Sequence, residues 1–225
     1  MTTVVLISAD AEWRVVKRLF PDAEIKITGM GEFFWGEVGT NIVFFHGGWG
    51  KISAAATAQY VIDHFHPDLI INPGTCGGFE GRIDVGTVIL VEKTIVYDII
   101  EQMGNPDDAI EHYSTHLDLS WLTVPYPSAV WRGVLVSADR DIIAREIPEL
   151  IERYSAVAAD WESGAIAWVS DRNHVRCVIL RAVTDLVSNK VGEAYGNLTL
   201  FHIRTDEIMP ALIHSLGGWI QAAGG

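Results

Sequence analysis

The sequence predicts an α/β fold: a single domain in which helices flank a central, mixed, twisted β-sheet. Three observations predict it. Short apolar runs, typical of buried strands, alternate with stretches of helical periodicity. Glycine-rich turns follow two of the predicted strands. The 225 residues include 49% hydrophobic and 20% charged side chains, which suits one globular domain over residues 1–225.

The composition and net charge of the chain limit the kinds of partner and cofactor that we expect it to bind. A net charge of -13 argues against nucleic acid and against an anionic membrane. Cys76 and Cys177 form no CxxC pair, so we expect reduced thiols, no thiolate metal site and no cofactor. The N-terminus has no basic signal-peptide region, and no apolar run reaches the ~18 residues of a membrane span. We therefore expect a cytoplasmic protein.

The first half of the chain reads as strands and helices in alternation. A strand at 4–7 leads into a helix at 11–20, which places Glu12 in the first helical turn. Further strands are predicted at 24–28, 33–38 and 41–46. The turn Gly47-Gly48-Trp49-Gly50-Lys51 then opens a helix at 52–65. Glycines at such a strand-to-helix turn let the backbone approach a ligand and direct amide groups at an anion.

The middle of the chain has a second glycine-rich turn and an irregular region. Pro73-Gly74-Thr75-Cys76-Gly77-Gly78 follows a predicted strand at 69–72. Strands are also predicted at 85–92, 94–98 and 130–137, with a helix at 143–154. Residues 101–128 indicate an exposed excursion, a lid or a subunit contact. His112, His116 and Asp118 lie in this region. We interpret them as part of a solvated polar loop rather than as a metal site.

Two carboxylates follow the last two predicted strands. The strand at 156–159 precedes Trp161 and Glu162, and the strand at 175–183 precedes Asp185. The last helix is predicted from Thr205, as N-cap, to residue 221. Ligands bind at the carboxyl ends of strands in α/β sheets, so we expect Glu162 and Asp185 to meet there. The alternative is that each carboxylate only stabilises a helix dipole or caps a helix or turn.

Six short motifs, in this order and spacing, resemble the purine and uridine phosphorylase family, and most of all its methylthioadenosine/S-adenosylhomocysteine nucleosidases. The resemblance covers nearly the whole chain and implies a nucleoside phosphorylase-like fold. It rests on Ser8-Ala9-Asp10-Ala11-Glu12, Gly48-Trp49-Gly50-Lys51, Asn72-Pro73-Gly74-Thr75-Cys76-Gly77-Gly78, Val136-Ser137-Ala138-Asp139, Asp160-Trp161-Glu162-Ser163 and Val183-Thr184-Asp185.

The resemblance implies a role for each candidate site residue. Glu12 would position and deprotonate the attacking water, and Asp185 would protonate N7 of the leaving purine. Glu162 would hold the ribose hydroxyls. The remaining implied substrate-binding residues are Trp161, Asp160, Thr75, Gly77, Trp49 and Ser137. The family implies that a neighbouring subunit helps to close the 5′ end of the site, so we expect a homodimer or a higher closed oligomer.

The chemistry of the bond accounts for these residue types. Cleavage of an N-glycosidic bond develops positive charge on the sugar, as in glycoside hydrolysis, and negative charge on the base. A carboxylic acid whose pKa is raised by apolar surroundings can protonate the base. A carboxylate beside the sugar stabilises the cation. Val183, Leu186 and Val187 around Asp185 suit the acid.

Four positions depart from the family pattern. Asp160 stands where glutamate is usual, and Ser163 where alanine is usual. Trp161 replaces a methionine, and Asp141 replaces an aromatic ring that stacks on adenine. These departures leave the base and the 5′ substituent of the substrate open.

Two other functions remain open. A phosphorylase needs arginines to bind phosphate, and the family's phosphorylases carry one just before the second glycine turn. This chain has Asn72-Pro73 at that place. Arg14, near Glu12, could serve instead and leaves the phosphorylase function open. The third possible function is that of a non-catalytic nucleoside-binding or storage protein. Binding alone does not require an acid and a base, whereas this chain has Glu12, Glu162 and Asp185 together. A purine nucleoside hydrolase is therefore the preferred function.

Overall fold

The computed structural model describes residues 1–38 and 40–225. In this part of the chain ten strands and six α-helices follow one another, with a short 3₁₀ turn at Ala144–Glu146. In chain order they are β1 (Thr3–Ile7), α1 (Asp10–Leu19), β2 (Lys26–Thr28), β3 (Gly31–Glu37), β4 (Asn41–His46), α2 (Lys51–Phe65), β5 (Leu69–Phe79), β6 (Val88–Val96), α3 (Pro106–His112), β7 (Ser114–His116), β8 (Trp131–Ser137), α4 (Ile147–Tyr154), β9 (Ala156–Asp160), α5 (Ser163–Arg172), β10 (Arg176–Val187) and α6 (Leu198–Ala222).

The strands form one mixed sheet that partly closes on itself. Its order is β10-β6-β8-β9-β5-β1-β4-β3-β2, with β7 beside β6. Because β5 also pairs with β10, the strands β10, β6, β8, β9 and β5 form a closed ring. Pairs such as β1 with β5 are parallel, whereas β3 with β4 and β5 with β9 are antiparallel. The predicted α/β class with a central mixed sheet is confirmed.

Helices cover both faces of the sheet. On one face α1 and α6 bury Trp13, Val16 and Trp219 against β1 and β10. On the other face α2 and α5 bury Ala58 and Ile166 against the same strands. Burial of these apolar side chains supplies the main favourable free energy of folding. None of the helices in the described residues has the length and apolar character needed to cross a lipid bilayer.

β5 is longer than predicted. The strand was expected to end before Pro73, but it continues through the glycine-rich segment to Phe79. β10 pairs with it over this whole length. A Cβ on Gly74 would lie 2.7 Å from Arg181 Nη1, and one on Gly78 would lie 2.7 Å from Val183 Cγ1. The glycines therefore let β10 approach β5 closely, and they continue the strand instead of forming the predicted turn.

Two further predictions were wrong in detail. The last helix begins at Leu198, because the Asn197 side chain accepts from Leu200 N at 3.1 Å and caps it; Thr205 lies buried within the helix. The region 101–128 is not wholly irregular, since it contains α3, capped by Asn105, and β7 on the edge of β6.

Candidate active site

A cavity of about 540 Å³ lies where the ends of several strands meet. The loop after β1 and the first turn of α1, the second half of β5, the loop after β8, and the ends of β9 and β10 all contribute to its wall. The segment that joins β10 to α6 completes the wall. The side chains relevant to chemistry are Glu12, Thr75, Asp160, Trp161, Glu162 and Asp185.

Glu12 is held rigidly at one end of the cavity. Its Oε1 accepts from Thr75 N at 2.6 Å and from Thr75 Oγ1 at 2.8 Å. Its Oε2 accepts from Ala9 N at 3.2 Å, which closes the first turn of α1. The side chain is only 4% exposed. Three donors thus fix a carboxylate on the cavity wall, with the Thr75 hydroxyl committed to it.

Glu162 lies at the N-cap position of α5 and is buried beside a second carboxylate. Its Oε1 accepts from Gly50 N, at the start of α2, at 2.9 Å. Burial, together with the charge of Asp160, raises the pKa of Glu162 to about 8. The carboxylate therefore sits where loss of solvent makes its ionisation costly, a feature common at functional sites.

A β-bulge aims Asp185 into the cavity. Val183 pairs with Cys76 and Asp185 with Gly77, so Thr184 is the extra residue on β10. Asp185 Oδ1 accepts from Thr184 Oγ1 at 2.8 Å. Burial raises the pKa of Asp185 above its usual range, although the Thr184 hydrogen bond opposes this. The environment therefore favours the protonated acid.

Asp160 lines the cavity, but its oxygens are already occupied. Oδ1 accepts from Ser137 Oγ at 2.6 Å, and Oδ2 accepts from Arg181 Nε at 2.7 Å. Both the amide and the hydroxyl of Ser163 also donate to this carboxylate. Ser137 is fully buried and lies outside the set of described residues that line the cavity. Asp160 thus belongs to the cavity wall, and Ser137 supports it from behind.

Arg181 was missed by the sequence analysis. It is fully buried in β10, and its Nη1 and Nη2 donate to Asn72 O at 3.0 Å and Asn72 Oδ1 at 2.5 Å. Its guanidinium therefore occupies the space beside Asn72, behind Gly74. The available signal was a charged residue within the apolar run 177–183, because a buried charge requires a partner.

The two tryptophans lie at the mouth of the cavity. Trp161 lines it, and its ring meets Trp49 edge-on with centroids 5.3 Å apart. Trp49 is 60% exposed and lies outside the lining residues that the structure describes. The mouth is thus aromatic and partly open.

Gly77 forms part of the cavity wall, as predicted for a substrate-binding residue. A Cβ at this position would lie 3.1 Å from Ile142 Cδ1.

The opposite wall was only partly foreseen. Arg140, Asp141 and Ile142 line it, together with Tyr195 from the segment that precedes α6. Tyr195 Oη donates to Ile142 O at 2.6 Å and joins the two segments. Sequence patterns gave no signal for Tyr195, because its approach depends on how residues 188–197 return to the cavity.

Negative charge dominates the cavity. Among the described residues that line it, the one basic side chain is Arg140, and its Nη2 lies 2.7 Å from Glu146 Oε2. Arg14 is exposed on α1, outside this set. In the part of the chain that the structure describes, no group of three His, Cys, Asp or Glu side chains is arranged to hold a metal ion. The cavity thus suits a neutral or cationic molecule better than a dianion.

A family model and several known proteins are similar to this chain. Residues 3–207 match the model of the phosphorylase superfamily. A 5′-methylthioadenosine/S-adenosylhomocysteine nucleosidase of Listeria welshimeri is 24% identical over 206 residues, 84% of this chain and 88% of the relative.

Two solved structures share the fold. The nucleosidase of the same name from Neisseria meningitidis, in complex with methylthio-immucillin-A, has a TM-score of 0.77 at 21% identity and covers 99% of this chain and 100% of its own. A futalosine hydrolase mutant from Helicobacter pylori has a TM-score of 0.78 at 18% identity, covering 96% and 99%. With a family match over most of its length, the chain belongs to the phosphorylase superfamily.

Proposed function

We propose that this protein hydrolyses the N-glycosidic bond of a purine nucleoside of the methylthioadenosine or S-adenosylhomocysteine type, releasing free base and free sugar. The observation that carries the proposal is that Glu12, Glu162 and Asp185 all face one cavity. Nucleoside binding alone requires neither an acid nor a base, so three carboxylates at one site favour an enzyme. The names of the relatives support the same substrate class.

Asp185 is the proposed general acid. Burial raises its pKa, so the side chain holds a proton more readily than a solvated aspartate. Donation of that proton to N7 makes the purine a neutral leaving group, which lowers the barrier to cleavage of the bond. The bulge at Thr184 supports this role, because it turns the carboxyl group toward the cavity.

Glu162 and Glu12 are the proposed partners of the sugar. Glu162 accepts hydrogen bonds from the ribose hydroxyls and stabilises the developing oxocarbenium ion. Glu12, fixed by Thr75 and Ala9, orients the attacking water and takes its proton. Glu12, together with Glu162 in its ionised form, places negative charge around the sugar ring, where positive charge appears in the transition state.

Water is favoured over phosphate as the nucleophile. A phosphate dianion needs arginine or amide donors that converge on one point. Arg181 is 1% exposed and committed to Asp160 and Asn72, and Arg140 is paired with Glu146. The Glu12 carboxylate on the cavity wall would repel the dianion. This argument supports hydrolysis over phosphorolysis.

The mouth of the cavity favours an apolar 5′ substituent. Trp161 and Trp49 offer two aromatic faces there, and aromatic side chains bind apolar and sulfur-containing groups well. The departures at Asp141 and Trp161 act on the base and on the 5′ group rather than on the bond that breaks. Because the fold is shared by proteins named for different substrates, the fold alone does not set this preference.

The proposal includes a cytoplasmic homodimer or higher closed oligomer. Trp49, Ile52, Ile100 and Met103 are between 60% and 98% exposed, and large exposed apolar side chains favour a covering partner. Sedimentation at micromolar concentration should show an oligomer, and a monomer would contradict this part of the proposal.

One experiment separates the candidate functions. The protein is incubated with a panel of purine nucleosides, with and without phosphate, and the products are identified by mass spectrometry. We expect free base and free sugar at a rate that does not depend on phosphate. Formation of sugar 1-phosphate would establish a phosphorylase, and binding without any product would establish a nucleoside-binding protein.

A further inference from the structure

Outside the cavity, Lys51, Asp98 and Asp139 form a closed polar circuit. Lys51 Nζ forms an ion pair with Asp98 Oδ1. Asp98 Oδ2 accepts from Asp139 N at 3.0 Å, and Asp139 Oδ1 accepts from Lys51 N at 2.7 Å. Each residue thus binds the next, and the last returns to the first. The circuit ties together the start of α2 and the loops that follow β6 and β8.

The circuit is well placed to hold its geometry. The Lys51 and Asp98 side chains are only 18% and 17% exposed, so their attraction is screened less than that of a surface pair. Asp139 also takes one of the free amides at the start of α2, where the helix dipole favours a carboxylate. The space is tight, because a Cβ on Gly50 would lie 3.2 Å from Asp139 Oδ1.

One residue away, the same turn contacts a proposed substrate-binding side chain. Gly50 N, adjacent to the anchored amide of Lys51, donates to Glu162 Oε1 at 2.9 Å. Gly50 has φ +87, a backbone conformation that side-chain-bearing residues rarely adopt. The direction of this N–H is set by the turn, and the turn is held by the circuit. Displacement of the turn would break the hydrogen bond between Gly50 N and Glu162 Oε1.

We infer that Lys51, Asp98 and Asp139 are positioning residues that act through the Gly50 amide to orient Glu162 toward the ribose hydroxyls. The inference rests on the proposed function for its consequence in catalysis, but the contact between Gly50 and Glu162 is measurable without any substrate. It also assigns a role to the lysine of the first glycine-rich turn. That lysine lies outside the described residues that line the cavity, so it acts at a distance.

The test is a comparison of two substrates in matched variants. Hydrolysis of methylthioadenosine and of 2′-deoxy-methylthioadenosine is measured for the wild type, Lys51→Met, Lys51→Arg and Asp98→Asn. Loss of one charge-assisted contact costs on the order of tenfold in kcat/KM. We expect Lys51→Met to show that loss with the ribonucleoside, a much smaller loss with the deoxynucleoside, and recovery in Lys51→Arg. Arg132→Met, which removes the exposed pair with Glu92, is the control.

A second readout needs no turnover. The Gly50 amide resonance, followed by NMR over pH, should track the titration of Glu162 in the wild type and lose that dependence in Lys51→Met and Asp98→Asn. If the Gly50 resonance of the variants kept the wild-type dependence on pH, the inference would be overturned. Equal losses of kcat/KM with the two substrates would overturn it as well. If the wild type hydrolyses no nucleoside, the proposed function fails, whereas the NMR comparison still decides the positioning role. Should Lys51→Met not fold, Asp98→Asn carries both measurements.

Discussion

Arg181 Nε lies 2.7 Å from Asp160 Oδ2, and both side chains are almost completely shielded from solvent, at 1% and 3% exposure. Asp160 lines the cavity, and Arg181 lies behind it. The pair holds the residue that precedes Trp161 and Glu162, and it brings a positive charge behind a site rich in carboxylates. Its role in stability can be measured independently of activity.

Replacement of Arg181 by methionine should destabilise the protein strongly. The change leaves Asp160 buried without its cation, and such losses cost about 3–5 kcal/mol. Urea unfolding of the two proteins measures the difference in free energy. The control is Arg132→Met, whose pair with Glu92 is about half exposed and for which we expect about 0–1 kcal/mol. Equal effects in the two variants would contradict the importance of burial.

Asp185→Asn should retain nucleoside binding and lose turnover. The amide keeps the shape of the side chain, but it has no acidic proton to donate to N7. Loss of a general acid costs ~10²–10⁴-fold in kcat. Steady-state kinetics and calorimetric binding measure the two effects separately. Asp22→Asn, at an exposed position, controls for the loss of one charge. Near-normal turnover in Asp185→Asn, at a matched melting temperature, would remove Asp185 from the acid role.

Glu12→Gln should abolish hydrolysis without creating phosphorolysis. The glutamine amide can still accept from Thr75, but it cannot take a proton from water, so we expect a ~10²–10⁴-fold loss in kcat. Product analysis with and without phosphate gives the measurement, with exposed Glu24→Gln as the control. Activity that rises as phosphate is added would point to the phosphorylase reading instead.

Glu162→Gln should stabilise the protein more at about pH 8 than at about pH 5. The pKa of Glu162 rises from 4.5 to about 8 on folding, so between these values the folded state keeps a proton that the unfolded state releases. Stability of the wild type therefore falls as pH rises through this window. Glutamine has no such penalty and can still accept from Gly50 N.

Melting temperatures at the two pH values test this prediction. We expect the advantage of Glu162→Gln to grow by at least ~2–4 °C from the lower to the higher pH. Above about pH 8, where Glu162 is ionised, the same variant should lose catalytic efficiency, because an amide carries no charge to stabilise the sugar cation. A difference in melting temperature that is independent of pH would show that Glu162 is ionised normally in the folded protein.

Much of the fold follows from local patterns. The apolar run 4–7 is buried as β1, and the first glycine-rich turn opens α2 at Lys51, as the spacing of glycines and apolar residues predicted. The start of α6 was misplaced, because Asn197 and Thr205 are both acceptable N-caps. In the structure the Asn197 side chain caps the helix, and Thr205 is buried within it.

The order of the motifs along the chain was sufficient to indicate the family and the reaction. The resemblance of the six motifs to one family carries that information, and it implied the roles of Glu12, Glu162 and Asp185. Only the tertiary structure decided which polar residues face the cavity and which support it. Ser137 and Arg181 both donate to Asp160 from behind the cavity wall, and Tyr195 forms part of that wall. These contacts join residues far apart in the chain, so their partners depend on how β5 and β10 pair in space.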